Sequence, residues 1–164
     1  MAKLPIAANG RPRESVWDYP RPPAVVPCQG RVMVEHHGVA IAESDRALRV
    51  LETASPPTIY IPPEDVRAEL LVPTEGHTVC EWKGRASYFD LAHEDDRAAM
   101  AAWTYPDPNE AYAELRDRIA FYPGRVECYL DDERARPQAG DFYGGWITSE
   151  IVGPHKGEPG TEGW

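Results

Sequence analysis

Proline decides where this chain can run as regular structure. Seventeen of its 164 residues are proline, and each one fixes φ, removes a backbone donor and pushes its predecessor towards extended geometry. The first thirty residues carry Pro12, Pro20, Pro22, Pro23 and Pro27, with Trp17 and Tyr19 between them. Polyproline II or irregular chain is expected there. Val16, Trp17, Tyr19, Val25 and Val26 call for burial, so residues 1–30 are expected to lie over the domain as a strap. The other reading, an SH3-type ligand, needs those aromatics exposed.

Composition narrows the class further. Hydrophobic residues make up 42 % of the chain, with 5 Trp and 8 Tyr, which is enough apolar surface for a core despite the high Gly and Pro content. The 17 Lys+Arg against 27 Asp+Glu leave a net charge of −10. That balance argues against tracking phosphates or docking on anionic membranes, so neither nucleic acid nor membrane is expected as a partner. No run approaches the ~20 apolar residues of a spanning helix, and residues 1–15 hold no apolar signal core. Cys28, Cys80 and Cys128 give neither a disulfide framework nor a metal knuckle. A cytoplasmic protein with isolated reduced thiols is the expectation.

Alternation of Val32 and Val34 with Met33 and Glu35, followed by His36-His37-Gly38 and Val39-Ala40-Ile41, predicts a hairpin. Ser44-Asp45 reads as a helix start, with Ala47, Val50, Leu51 and Ala54 on one stripe and Asp45, Arg49 and Glu52 on the other side. Pro56-Pro57 ends that helix. A strand is predicted over 58–61 and a second short helix from Pro62-Pro63 to about Leu71. Residues 78–105 read as β structure, with 88–91 and 100–105 paired across an acidic loop at Glu94-Asp95-Asp96. Residues 109–122 give the strongest helix pattern, through Tyr112, Leu115, Ile119 and Tyr122. A last strand is predicted over 125–130. Beyond it, Phe142, Tyr143, Trp146 and Ile147 suggest docking of an otherwise Gly/Pro-rich tail, residues 136–164. One α+β domain with strap-like ends results.

Five words of sequence stand out: Ala47-Leu48-Arg49-Val50-Leu51-Glu52-Thr53, Tyr60-Ile61-Pro62-Pro63-Glu64-Asp65-Val66, Cys80-Glu81-Trp82-Lys83-Gly84-Arg85-Ala86-Ser87-Tyr88, Ala101-Ala102-Trp103-Thr104-Tyr105-Pro106 and Ile119-Ala120-Phe121-Tyr122. Together they resemble the DUF427 family. The resemblance spans roughly residues 14–135, with a single copy of the domain placed at 31–135. It implies a β-rich, β-tent or Mss4-like fold of antiparallel sheets with a few short helices. Several β-tent relatives hold zinc through paired cysteines; those pairs are missing here, so the fold is carried over and the metal is not. The nucleotidyltransferase-like label attached to the family finds no support, since there is neither a Gly-Ser pair followed by two spaced Asp residues nor a GxxxxGK[ST] loop.

The word from Cys80 to Tyr88 is the richest in chemistry. On an extended strand, Cys80 and Trp82 share one face and Glu81 and Lys83 the other. Lys83, before a glycine and close to aromatics, reads as an anion ligand, or as a nucleophile or base once desolvated; a solvated strand-edge lysine is the alternative. Cys80 reads as a reactive thiol or as a small buried hydrophobe. Arg49 and Glu52 form either a solvated ion pair or an arginine clamp for a carboxylate or phosphate. Tyr88, Trp103 and Tyr105 wall an aromatic pocket or simply fill the core. Asp65 is a ligand-binding candidate or a helix cap. His36 and His37 point to opposite sides if on a strand, and His77 and His93 have no ligand-spaced companion, so no metal site is expected and no cofactor is called for.

Three functions fit these residues. The first is a small-molecule binding protein or enzyme, taking an anionic metabolite or nucleotide in a pocket of Arg49, Glu52, Asp65, Lys83, Tyr88, Trp103 and Tyr105, with Lys83 and Cys80 as catalytic candidates. The second is an interaction module whose Trp/Tyr/Pro-rich ends recognise another protein or a second copy of the chain. The third is a thiol redox enzyme using Cys80, for which no resolving cysteine is evident.

Overall fold

A computed structural model describes residues 6–139 and 143–156. The chain opens with β1 (Glu14–Ser15), β2 (Ala24–Pro27), β3 (Val32–His36), β4 (Val39–Ser44), β5 (Leu48–Glu52) and β6 (Ser55–Tyr60). β3 and β4 form the expected hairpin. His37 and Gly38 both take positive φ, 49° and 84°, the paired left-handed turn that joins antiparallel strands through two residues. Val32 and Val34 alternate into the core with no exposure. The proline-rich segment docks through β2, which pairs antiparallel with β5, and through Val16 and Tyr19, which are buried with Ile151. Trp17 departs from expectation and stays 43 % exposed.

The helix expected from Ser44 is a strand. β5 lies between β2 and β6 and takes backbone hydrogen bonds from both. Over so short a run, apolar spacing of three and four residues cannot distinguish a helix from a strand, and sheet pairing decides. The change has a consequence for the site: on a strand, Arg49 and Glu52 sit three apart and therefore face opposite sides. Two single-turn 3-10 helices, Pro63–Asp65 and Ala68–Leu70, replace the second predicted helix.

β7 (Leu71–Cys80), β8 (Gly84–His93) and β9 (Asp96–Thr104) then form a long antiparallel meander. The strongest helix prediction also fails. Residues Glu110–Leu115 make a 3-10 turn, Asp117 breaks it with φ 60°, and Ile119–Phe121 form β10. Tertiary pairing wins again, because β10 lies against β9 and exchanges backbone hydrogen bonds of 2.8 and 2.9 Å between Ile119 and Ile61. The chain closes with β11 (Glu127–Leu130), β12 (Glu133–Arg134), β13 (Arg136–Pro137), β14 (Trp146–Ile147) and β15 (Ile151–Val152). Phe142 and residues 157–164 of the predicted tail lie outside the described residues.

The protein is therefore β-rich, built of antiparallel sheets and one short parallel pair, β1 with β15, that do not close into a barrel among the described residues. The sheet β10-β9-β8-β7 is stitched to β2-β5-β6 through Ile61 and Ile119, and the sheet β12-β11-β3-β4 covers one side of it. Alternation loads both faces of the stitched layer. Ile59, Ile61, Ile119 and Phe121 join the main core with Val32, Val34 and Cys128. Val50, Tyr60, Ala120 and Tyr122 point the other way, into a second cluster with Tyr88, Trp103 and Tyr105. No helix among the described residues is long and apolar enough to cross a membrane.

A bulge in β9 helps aim that second face. Met100 takes φ 49°, and its N–H donates to Asp90 Oδ1 at 2.8 Å while Arg97 donates to Oδ2 at 2.7 Å. The Met100 N–H first, then Arg97, hold the Asp90 carboxyl below its usual range. A depressed folded-state pKa contributes stability that is present above the unfolded value of ~3.9 and is lost as pH falls below it. Asp90→Ala is expected to cost about 1–3 kcal/mol at pH 7, and the gap between its melting temperature and that of wild type is expected to shrink at pH 3. An equal gap at both pH values would show that the carboxylate charge does not hold the bulge.

Candidate functional site

The second cluster opens onto a cavity of about 280 Å³. The β7–β8 hairpin supplies its first wall. Residues 81–83 are the turn of that hairpin, not a continued strand, and Gly84 starts β8 at φ 111°, a conformation a side chain would strain. The turn overturns the expected alternation: Lys83 folds inward to 7 % exposure, onto the cavity that Cys80 also lines, while Trp82 stays 40 % exposed. Asn109 fixes the turn, donating through Nδ2 to the Trp82 carbonyl at 2.8 Å and through its N–H to the Lys83 carbonyl at 2.9 Å.

Aromatic rings make the other walls. Register places Tyr88 opposite Trp103 across β8 and β9. Trp103 meets Tyr60 edge-on at 6.0 Å and Tyr122 at 4.6 Å, and its Nε1–H donates to the Tyr60 hydroxyl at 3.2 Å. Burial pushes the phenols of Tyr60, Tyr105 and Tyr122 upward, so they serve as neutral hydroxyls. Glu52 enters from β5, and Gln138, Tyr143, Gly144 and Lys156 close over from the C-terminal segment. Gln138 Nε2 donates to the Lys156 carbonyl, and the Lys156 ammonium lies 5.5 Å from the centre of the Tyr143 ring.

Lys83 is the unusual group. Burial works against its charge, while Tyr60, Cys80 and Glu52 favour it, and the net is upward. It is a cation at neutral pH, yet no ion pair reaches its ammonium among the described residues. A buried ammonium without a counter-ion is costly to keep.

Six of the eight candidate residues, Glu52, Cys80, Lys83, Tyr88, Trp103 and Tyr105, line this one cavity. The other two do not. Arg49 lies on the opposite face of β5, in a hollow of about 210 Å³, where it holds Glu14 through two hydrogen bonds of 3.0 Å. Asp65 is not an N-terminal cap: it accepts from Ser44 at 2.7 Å and from Arg46 at 3.0 Å. These contacts, Arg46 first, hold its carboxyl below the usual range.

The chain matches the profile of a family described as a domain of unknown function, DUF427, over residues 24–132. It belongs to the DUF427 family. No curated protein matches it in sequence. The match takes in most of the cavity of this DUF427 protein, from Val50 to Tyr122, but ends before Gln138 and Lys156. Sequence reasoning passed over those two as well as Tyr60 and Tyr122. Tyr60 and Tyr122 alternate with buried isoleucine and phenylalanine, which was a readable signal. Gln138 and Lys156 reach the cavity by long-range folding of the tail, and local pattern carries no trace of it.

Cys28 and Cys128 are buried and burial pushes both thiols up; all three cysteines are free. One expectation about metals is corrected here. His36 ends β3 and His37 begins the turn, so their rings do not diverge but stack at 3.9 Å.

Proposed function

We propose that the Lys83 cavity binds a small anionic molecule with a planar portion, an anionic metabolite or nucleotide. The observation that carries this reading is the buried, charged Lys83 with no ion-pair partner, facing a cavity walled by aromatic rings. A ligand carboxylate or phosphate would supply the missing counter-charge, and Trp103, Tyr105 and Tyr122 would cover its apolar face. Lys156 adds a second cation from the tail, while Glu52 sets a polarity across the site. Lys83 serves as an anion ligand or proton donor, since the neutral amine needed for nucleophilic attack is its minor form. Cys80, beside it, is the thiol available for chemistry on a bound ligand. A cytoplasmic location suits these unpaired thiols. The antiparallel sheets and the family resemblance together support a β-tent or Mss4-like classification.

The test is a thermal-shift screen of wild type and Lys83→Met against nucleoside monophosphates, dicarboxylates, amino acids and sugar phosphates. A ligand at 100 times its Kd stabilises by ~2.7 kcal/mol, which at about 2–4 °C per kcal/mol raises Tm by roughly 5–11 °C. Methionine keeps the bulk of the side chain and removes the buried charge, so the variant is expected to fold with an unchanged or higher Tm and to lose the shift. Arg49→Met, in the other hollow, is expected to keep it. A shift that survives in Lys83→Met, or no shift with any compound, overturns the proposal. In the second case the interaction module takes precedence.

A further inference from the structure

We propose that His36, His37 and Asp96 form a binding site for a borderline divalent transition ion, represented by Zn²⁺. The three ligand atoms, one from each residue, lie within 4.8 Å of one another. His37 Nδ1 is 2.6 Å and His36 Nε2 is 3.5 Å from the same oxygen, Asp96 Oδ2. An ion with bonds of ~2.0–2.2 Å holds neighbouring donors roughly 3.3 Å apart, so shifts of about an ångström complete the geometry.

The second observation is His36 itself. Both of its ring nitrogens are shut off from solvent, and neither has a hydrogen-bond partner. Buried polar nitrogens are almost always satisfied. On its other side, Nδ1 stands 3.6 Å from Glu127 Oε2, which is also buried and unpartnered. The imidazole is held between two carboxylates, each just beyond hydrogen-bonding range. An ion on Nε2 would satisfy one nitrogen; Nδ1–H donated to Glu127 would satisfy the other and orient the ring, the usual carboxylate–histidine–metal arrangement.

The fold supplies the rigidity such a site needs. His36 ends β3 and His37 begins the β3–β4 turn, whose positive φ at His37 and Gly38 folds the second ring onto the first. Asp96 opens β9, paired with His93 across the β8–β9 turn. The hollow beside the cluster is solvent-open and lined by His93, Glu94 and Asp95 as well as His37 and Asp96. Open coordination positions and a negative field both follow. Two imidazoles with a carboxylate select zinc and its neighbours over magnesium and calcium, which prefer oxygen. The site shares no residue with the Lys83 cavity, so its test is independent of that reading.

Metal-free protein dialysed against Zn²⁺ is expected to retain one ion per chain that Mg²⁺ and Ca²⁺ do not displace at the same concentration. His37→Ala and Asp96→Asn alter exposed or half-exposed side chains, so both should fold with near wild-type melting temperatures. Each is expected to weaken retention by roughly 10–100-fold. A Zn²⁺-dependent rise in Tm in wild type that is absent in both variants would support the same conclusion. Equal retention by wild type and His37→Ala would mean that zinc sits elsewhere, on Cys80 or a remote histidine, and would overturn the assignment. So would no retained zinc, or equal retention of Ca²⁺, which would mark an acidic hollow instead.

Discussion

Trp146→Ala is expected to lower the melting temperature by roughly 6–20 °C. Trp146 lies beyond the family match, yet it is 2 % exposed and packs into the main core with Phe121 and Ile59. Its Nε1–H donates to the Phe121 carbonyl at 3.1 Å. Truncation removes both the buried ring and that donor, and such changes cost about 3–5 kcal/mol, with about 2–4 °C per kcal/mol at this chain length. Trp82→Ala, at a hairpin tip and 40 % exposed, is the control and is expected to stay within about 2 °C. Thermal melts followed by circular dichroism measure both. A drop of under 2 °C for Trp146→Ala would mean that the C-terminal segment is only loosely laid on the sheet. The consequence for function is direct. Trp146 and Ile151 are buried in this chain, so these two anchors of the tail are already spent on the fold.

What could be read from sequence divides along the line between local and long-range physics. The β3–β4 hairpin was legible because Val32 and Val34 alternate and a His-Gly turn follows them. The β8–β9 pair was legible for the same reason, with its acidic turn. β5 and β10 were not. Each is short and apolar at spacings that fit a helix equally well, and sheet pairing decides: β5 takes β6 in a hairpin and the distant β2 on its other side, while β10 takes β9 and Ile61. That single error misplaced Arg49, which was grouped with Glu52 by helical spacing and is separated from it by the strand. Most of the remaining candidates sit on or beside β8 and β9, where alternation and register suffice to bring Tyr88 against Trp103. Lys83 reached the cavity for a reason the alternation argument missed, a turn at Gly84 that folds it inward. Docking of the tail was legible in Tyr143, Trp146 and Ile147, but the arrival of Gln138 and Lys156 at the cavity depends on contacts between distant residues, such as Gly144 with Trp103 and Lys156 with Ala54, and left no local signature.

Trp103→Ala and Trp103→Phe are expected to separate the two roles open to the aromatic residues. Trp103 is 6 % exposed and contacts Tyr60 and Tyr122, while a Cβ at Gly144 would run into its ring, so the tail closes directly upon it. Deleting the indole leaves a void among rings that cannot collapse without moving β8 or the tail, at a cost of about 3–5 kcal/mol and roughly 6–20 °C in Tm. Phenylalanine keeps most of the packing and loses the N–H that meets the Tyr60 hydroxyl, at about 1–2 kcal/mol. If Trp103 is only core, Trp103→Phe should bind any ligand found by the thermal-shift screen as wild type does, once its lower starting Tm is allowed for. If the ring is a wall of the site, the smaller phenyl face leaves part of the ligand uncovered, and affinity should fall by about tenfold or more while the fold persists. Titration calorimetry on wild type and Trp103→Phe therefore decides the matter without the unfolding that would confound Trp103→Ala. Unchanged affinity would assign the aromatic cluster to packing and leave Lys83 to hold an anion at the cavity mouth without a stacking surface.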